Sequence, residues 1–543
     1  MFKIIIFMKK VFSLLFVLLT SMLLVQCAKK GTPTGGKVDS IPPKFVRASP
    51  ENFSTNFDSK EIRILFDEFI KLEKPQEQII ISPPMSPKPD ITPLGFASKD
   101  VRIKITDTLE ENTTYVINFG TSVTDNNEGN PLPFFKYVFS TGTYIDSLSV
   151  QGRIEDALLK DAPPFISVML YEVNETYTDS LVFNEPPRYI TNTLDSLKTF
   201  EITNLKEGTY QLVAVQDLNN DYKYNPGREK IAFIENPITI PTDSSFALTL
   251  FRETLDFEPE RPKQTGLQKF LIGYKGKTDF DSISYKPLST VPDDFEYRIT
   301  KVADKDSLNF WYKPKLEIDS LLLVVASPKG SDTLLTRITA MAKDSLSVST
   351  EPSGNLDFDK DFLFITNTPI SEKNDELISI LGKDSIPIPF TSELNILEST
   401  LRLKFEKNEN ETYQITALPG ALTDFFNKVN DTIQKSIRTK AFSYYGNVRL
   451  SLQNVREFPL IVQLTDEKGV VKYERFSTSE STISFNLIIP GKYLIRVIYD
   501  RNKNRVWDTG NYLKKIKPEE IIYFPELIEL RPNWDENLNF ILD

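Results

Sequence analysis

The chain of 543 residues contains no histidine and one cysteine, Cys27. Without histidine it lacks the usual general base, the commonest metal ligand and every Ser-His or Cys-His nucleophile. Carboxylate or lysine chemistry stays open, but the chain is expected to be non-enzymatic, with no catalytic residue assigned. With one cysteine no internal disulfide can form, whatever the compartment, so stability must come from apolar burial. Glycine is scarce at 21 residues against 38 Phe and 21 Tyr, a balance that suits filled sandwich cores. The net charge is −11, and the basic residues are scattered among acidic ones. Nucleic acid, which needs a clustered basic face, is therefore not an expected partner.

The cysteine ends an apolar leader. Lys9 and Lys10 precede a run from Val11 to Val25, then Gln26 and Cys27. A membrane span needs about 20 apolar residues, so the run is short for one and reads as a secretory signal peptide over 1–26. The segment Leu24-Val25-Gln26-Cys27 resembles a bacterial lipobox, departing at Gln26, where a small residue is usual. The resemblance implies cleavage before Cys27 and lipidation of its sulfur. Two or three acyl chains, at about 0.8 kcal/mol per buried CH₂, would hold the chain on a membrane. Residues 27–40, with AKKGTPTGGKVDS after the cysteine, show no apolar period and predict a flexible lipidated tether.

From Ile41 onward the pattern is β. Glu61 to Phe66, Val101 to Ile105, Tyr115 to Phe119 and Leu401 to Phe405 alternate apolar with polar residues. Such alternation puts one face in a core and one in water. The fold class is all-β, in tandem sandwiches, with one short helix expected over Ala421 to Val429.

The chain also repeats itself. Gly208-Thr209-Tyr210 leads to Asp217, Asn219, Asp221, Asn225 and Gly227; Gly491-Lys492-Tyr493 leads to Asp500, Asn502, Asn504, Asp508 and Gly510, at a constant offset of 283. A fainter pair is Glu111 to Ile117 before Asp125, and Asn410 to Ile415 before Asp424. The layout is A-B-C-A′-B′: A over 41–145, B over 147–255, C over 264–350, A′ over 355–445 and B′ over 447–543. The charged segment Phe257 to Thr265 (FEPERPKQT) is expected to be a linker, and the whole a rod.

These residues carry resemblances. The A unit resembles the bacterial Ig-like domain of S-layer and envelope proteins through Pro42-Pro43 to Ser49-Pro50, the strand Ile62 to Phe66 followed by Asp67-Glu68, and Leu109 to Asn118 followed by Thr124-Asp125. The B unit is similar to prealbumin-like or carboxypeptidase-regulatory-like sandwiches through its Gly-x-Tyr strand and Asp/Asn loop. The whole layout resembles Ig-like lipoproteins of the Bacteroidota. That implies an outer-membrane lipoprotein, with the cell surface favoured over the periplasmic face. Its expected partners are the membrane, through the N-terminal lipid, and outer-membrane β-barrel or other envelope proteins. Such lipoproteins serve as scaffolds or accessory subunits of envelope complexes, including those that insert outer-membrane proteins; the alternative is an adhesin or glycan-binding lipoprotein.

Candidate sites are few. Asp217, Asn219, Asp221 and Asn225, and likewise Asp500, Asn502, Asn504 and Asp508, place oxygens at alternating loop positions, as calcium requires. An EF-hand-type loop needs glycine sixth, where Tyr222 and Arg505 stand. The competing reading, Asx turns whose side chains bond nearby amides, is favoured. Triplets such as Asp39-Ser40-Ile41, Asp107-Thr108-Leu109, Asp146-Ser147-Leu148, Asp195-Ser196-Leu197, Asp319-Ser320-Leu321 and Asp344-Ser345-Leu346 resemble O-glycosylation acceptors of Bacteroidota envelope proteins; turns entering strands account for them equally. Asp67 and Glu68 are adjacent on a strand, point to opposite faces and cannot converge on one bond. Trp311, Tyr312, Tyr444, Tyr445 and Trp507 could stack on sugars, but are expected in cores and corners.

Overall fold

The computed structural model describes residues 39–193, 198–277 and 279–542. The leader, Cys27, the tether up to Val38 and the triplet Asp195-Ser196-Leu197 lie outside those residues.

The alternation read from the sequence becomes strand burial along Glu61–Leu72, Ser98–Lys104 and Thr400–Phe405, but not along Thr114–Asn118, where Tyr115, Val116 and Ile117 are all buried. Along Glu61–Leu72, Ile62, Ile64, Phe66 and Ile70 are buried while Glu61, Arg63 and Asp67 face water. Helix among the described residues is confined to short turns such as Pro75–Gln78 and Leu181–Asn184. The described residues are all-β, in five two-layered units.

Unit A pairs Phe45–Ser49, Glu61–Leu72, Ser98–Lys104 and Asp90–Thr92 in that order, with Val123–Asp125 also on Glu61–Leu72. Its facing sheet is Ile80–Ser82, Thr114–Asn118 and Lys136–Ser140. Ile62, Ile64, Phe66, Ile103, Ile117, Phe119 and Phe139 fill the space between. Unit A′ repeats the plan with Val348–Glu351, Phe362–Thr366, Thr400–Phe405 and Phe390–Asn395 over Ile378–Leu381, Thr412–Ala417 and Ile433–Arg438.

Unit B sets Tyr189–Asn192, Ser167–Glu172, Gly208–Val215 and Ile231–Phe233 over Thr199–Leu205, Leu148–Asp156 and Ser245–Leu250. Its last strand runs parallel to Leu148–Asp156. B′ makes the same uncommon pairing, Asp535–Ile541 parallel to Gly446–Gln453. Unit C is a sandwich of its own around Phe270, Phe310, Tyr312, Leu321 and Leu323.

The repeats share their corners. In B the Tyr210 hydroxyl donates to the Lys206 carbonyl at 3.2 Å, and in B′ Tyr493 donates to Ile489 at 2.6 Å. The glycine two residues before the tyrosine leaves room for the ring: a Cβ on Gly208 would lie 3.2 Å from it. In A the Tyr115 hydroxyl accepts the Glu110 amide at 2.9 Å, and in A′ Tyr413 accepts that of Asn408 at 2.6 Å.

Three expectations fail. Ala421 to Val429 is not a helix: Leu422–Asp424 is a strand, and the Asp424 carboxylate then accepts the amides of Phe426 and Lys428, which turns the chain. The apolar spacing was helical, but a buried aspartate holds the backbone amides a helix would need. The charged segment after Asp256 is not a free linker. Glu258–Pro259 and Lys263–Gly266 pair with Lys269–Lys275 at the margin of unit C, where prolines are tolerated. The molecule is not a rod either. B and B′, separated in sequence by C and A′, pack on each other. Leu158 of B, through its carbonyl, accepts Arg496 at 2.8 Å and the Tyr523 hydroxyl at 2.6 Å, and Tyr512 of B′ is buried on the outer face of the larger B sheet. C reaches A′ through Trp311 and Phe426, rings 6.2 Å apart, and A′ reaches B′ through the Tyr445 carbonyl and the Asn533 amide at 2.8 Å.

Candidate functional site: two Asp/Asn loops and the cleft beside the first

Both loops have one hub. Asp217 accepts the amides of Asn219 at 3.1 Å and Asp221 at 3.3 Å on one oxygen, and that of Tyr222 at 2.8 Å on the other. Asp500 accepts Asn504 at 3.1 Å and Arg505 at 2.9 Å. Aspartate does this because its short carboxylate reaches amides two to five residues on. The sixth position does adopt the left-handed backbone that favours glycine, with φ 58° at Tyr222 and 66° at Arg505, and so does the fourth, at Asn220 and Lys503. The two loops thus share one backbone path.

A second carboxylate staples each loop across its width. Glu229 accepts the Leu218 amide at 3.0 Å and the Asn225 amide at 2.9 Å. Glu519 accepts Arg501 at 2.8 Å and Asp508 at 3.1 Å, the equivalent positions. Both glutamates are buried, and burial pushes both carboxyls above the usual range against the pull of those amides. Neither was picked out from the sequence, because the repeat offset that finds Asp500 from Asp217 does not find Glu519 from Glu229.

The remaining side chains of the first loop do not converge, whereas those of the second gather on Asp508. Asn219 and Asp221 are exposed. Asn225 donates its side-chain amide to Glu229 at 3.3 Å, and the side chains of Asn502 and Asn504 both donate to Asp508. Among the described residues no cluster of three or more Asp or Glu is gathered as a metal site. The inner carboxylates spend their lone pairs on amides, and the loops work as joints.

The first joint receives unit A. Lys88, on the proline-rich segment after Ser82, donates to the Asn220 carbonyl at 2.9 Å and lies 4.3 Å from the centre of the Tyr222 ring. Burial lowers the affinity of its amine for a proton, partly offset by Asp217 and Asp221. Nearby, Ser82 accepts the Ile190 amide at 3.0 Å, Asn192 donates to the Glu77 carbonyl at 2.9 Å, and Arg188 pairs with Glu110. Between A and this loop lies a cleft of about 380 Å³, walled by Ile79, Ile81, Met85, Ile91, Leu94 and Tyr222. The second joint faces B: Thr509 donates to the Arg252 carbonyl at 2.7 Å, while Trp507, bonded within B′ to the Glu519 carbonyl at 3.0 Å, packs against the buried cluster on B.

Other candidates settle into the frame. Asp67, exposed, accepts the Lys44 amide at 2.8 Å, and Glu68, half-buried, is lifted by burial and by Asp125 and Asp67. Trp311, Tyr312 and Tyr445 are core residues, with Trp311 donating to Thr300 at 2.9 Å; Tyr444 and Trp507 are half-buried. The hydroxyls of Ser40, Thr108, Ser147 and Ser345 are on exposed residues; Asp39 serves a turn, accepting the Ile41 amide at 2.9 Å, whereas Asp146 accepts the Thr114 hydroxyl at 2.8 Å and Asp344 pairs with Lys269 at 3.4 Å.

No curated protein matches the chain. Among solved structures, domains 1–6 of the surface layer protein SbsC align at 10% identity over 87% of this chain and 67% of that one, with a TM-score of 0.14. SGBP-B of the Bacteroides ovatus mixed-linkage glucan utilization locus, in complex with a mixed-linkage heptasaccharide, aligns at 10% identity over 71% and 91%, with a TM-score of 0.18. A run of titin domains aligns at 10% identity over 51% and 98%, at 0.14. TM-scores of this size carry no argument about function. Residues 39–141 match the family model of the bacterial Ig-like domain, and unit A is such a domain.

Proposed function

We propose that this chain is an outer-membrane lipoprotein, anchored through lipid on Cys27, that works without catalysis as a scaffold or accessory subunit of a multi-protein envelope complex. One observation carries the reading most. The loops that could have held chemistry are spent on joining modules: Lys88 locks A to the first loop, and the second loop docks B′ on B. A frame of fixed sandwiches offers a partner several surfaces at set distances, which suits holding rather than turnover. Unit A, next to the tether, also presents Phe53, Phe69, Phe96 and Phe134 to solvent, each more than half exposed. Partners of a lipid-anchored frame are envelope proteins, outer-membrane β-barrels among them.

Affinity purification from native membranes tests this. Co-purifying envelope proteins, lost when Phe69 and Phe96 are both changed to serine, are the expected result. Retention on a glycan column with no co-purifying protein would overturn it in favour of an adhesin.

A further inference from the structure

The two B-type sandwiches share loops and sheets but not length. Gly227 answers to Gly510, 283 positions on, whereas strand Ile231–Phe233 answers to Ile521–Tyr523 and Ile238–Ile240 to Ile528–Leu530, both 290 on. The second copy therefore holds seven more residues between Gly510 and Ile521. The first copy builds the same pairing without them: Ile231–Phe233 joins Gly208–Val215 as Ile521–Tyr523 joins Gly491–Tyr499. The fold of B′ does not call for the extra length.

The added residues make their contacts on B. Asn511 and Ile516 exchange backbone hydrogen bonds at 2.8 and 2.9 Å, which closes a small turn. The turn drives the Tyr512 ring, fully buried, against Phe233 at 5.4 Å and Phe183 at 6.0 Å between ring centres. The Tyr512 amide donates to Glu253 at 2.6 Å, and the same carboxylate accepts the Tyr224 hydroxyl at 3.0 Å. Lys515 pairs with Asp179 at 2.6 Å and lies 4.3 Å from the centre of the Tyr512 ring. Gly510 permits the approach, since a Cβ there would fall 2.8 Å from the Phe251 ring. An aromatic socket with two carboxylates on B thus meets a turn with one ring and one ammonium on B′.

We infer that residues 511–517 are a dedicated recognition element and that the outer face of B is its binding site, formed by Asp179, Phe183, Tyr224, Phe233, Phe251 and Glu253. The ligand class is a tight turn bearing an aromatic ring followed three residues later by an ammonium group. In the intact chain the site is filled in cis, where the tether through C and A′ keeps the local concentration of the turn high. The site belongs to B alone, so it retains its affinity when the turn is supplied from outside.

The test uses the full chain with Asn511–Lys517 deleted, which returns B′ to the length of B. The β-sheet circular dichroism is expected to stay as in the wild type. A backbone-cyclised peptide spanning residues 510–517 then binds this variant saturably and does not bind the wild type, whose socket is filled. Adding Asp179→Asn to the deletion weakens the peptide by about tenfold or more. A deletion variant that loses its β signal would place the segment in the core of B′ and overturn the inference. So would a folded deletion variant that ignores the peptide, or equal binding by the wild type.

Discussion

Glu229 and Glu519 occupy one place in two sandwiches, each bridging the amide after the hub aspartate to the amide eight positions beyond that aspartate. Burial raises both carboxyls, so each binds its proton more tightly folded than unfolded. Such a group contributes stability in full below its unfolded value and loses it as pH rises through the folded one. Glu229→Gln and Glu519→Gln each remove this slope. Relative to either variant, the wild type is expected to lose stability as pH rises above the ordinary glutamate range. Thermal midpoints across that rise check it; a gap that does not change with pH would contradict it.

Asp125 titrates in the opposite sense. Burial pushes its carboxyl up, but the amides of Gly129, Glu128 and Asn130, at 2.7 to 2.9 Å, outweigh burial and hold it below the usual range. Its contribution is present above the unfolded value and is lost as pH falls through the folded one. Asp125→Asn is expected to destabilise unit A by about 2–3 kcal/mol, the scale of hydrogen bonds to a buried charge. Hydrogen exchange along Val123–Asp125 and Glu61–Leu72, measured at neutral pH, reads the loss.

The corner tyrosines allow a smaller, cleaner change. Tyr493→Phe keeps the ring and removes only the hydroxyl that donates to Ile489. The expected cost is about 1 kcal/mol, since one carbonyl loses its partner. Tyr210→Phe should cost less, because its bond to Lys206 is longer at 3.2 Å. Protection of the strands Gly491–Tyr499 and Gly208–Val215 in exchange experiments ranks the two.

Calcium is expected to do little. With Asp217 and Asp500 accepting backbone amides, a cation would have to displace bonds that already satisfy the loop. Millimolar calcium should leave the melting profile unchanged. A rise in midpoint that disappears in Asp217→Ala would reverse this account of the loops.

Much of the architecture was legible in period-two runs, because a half-buried strand writes its two environments into alternate residues. The Asp/Asn loops were legible because B and B′ keep one spacing from Gly208 to Gly227. Glu519 was not, since seven added residues shift it out of register with Glu229. Nothing in the sequence marks Tyr512 as buried, just as nothing in it argues against a rod. Contacts such as Glu253 with Tyr512, 259 positions apart, leave no periodic trace in one sequence. The stretch Ala421 to Val429 misled because its apolar spacing fits a helix, and only the buried Asp424 betrays the turn.

Lipid on Cys27 is the claim on which the proposed location and partners both depend. Growing cells with labelled palmitate, in wild type and with Cys27→Ser, tests it most directly. Label is expected in the wild-type protein and none in the variant. An unlabelled wild type, or a labelled Cys27→Ser protein, would contradict it.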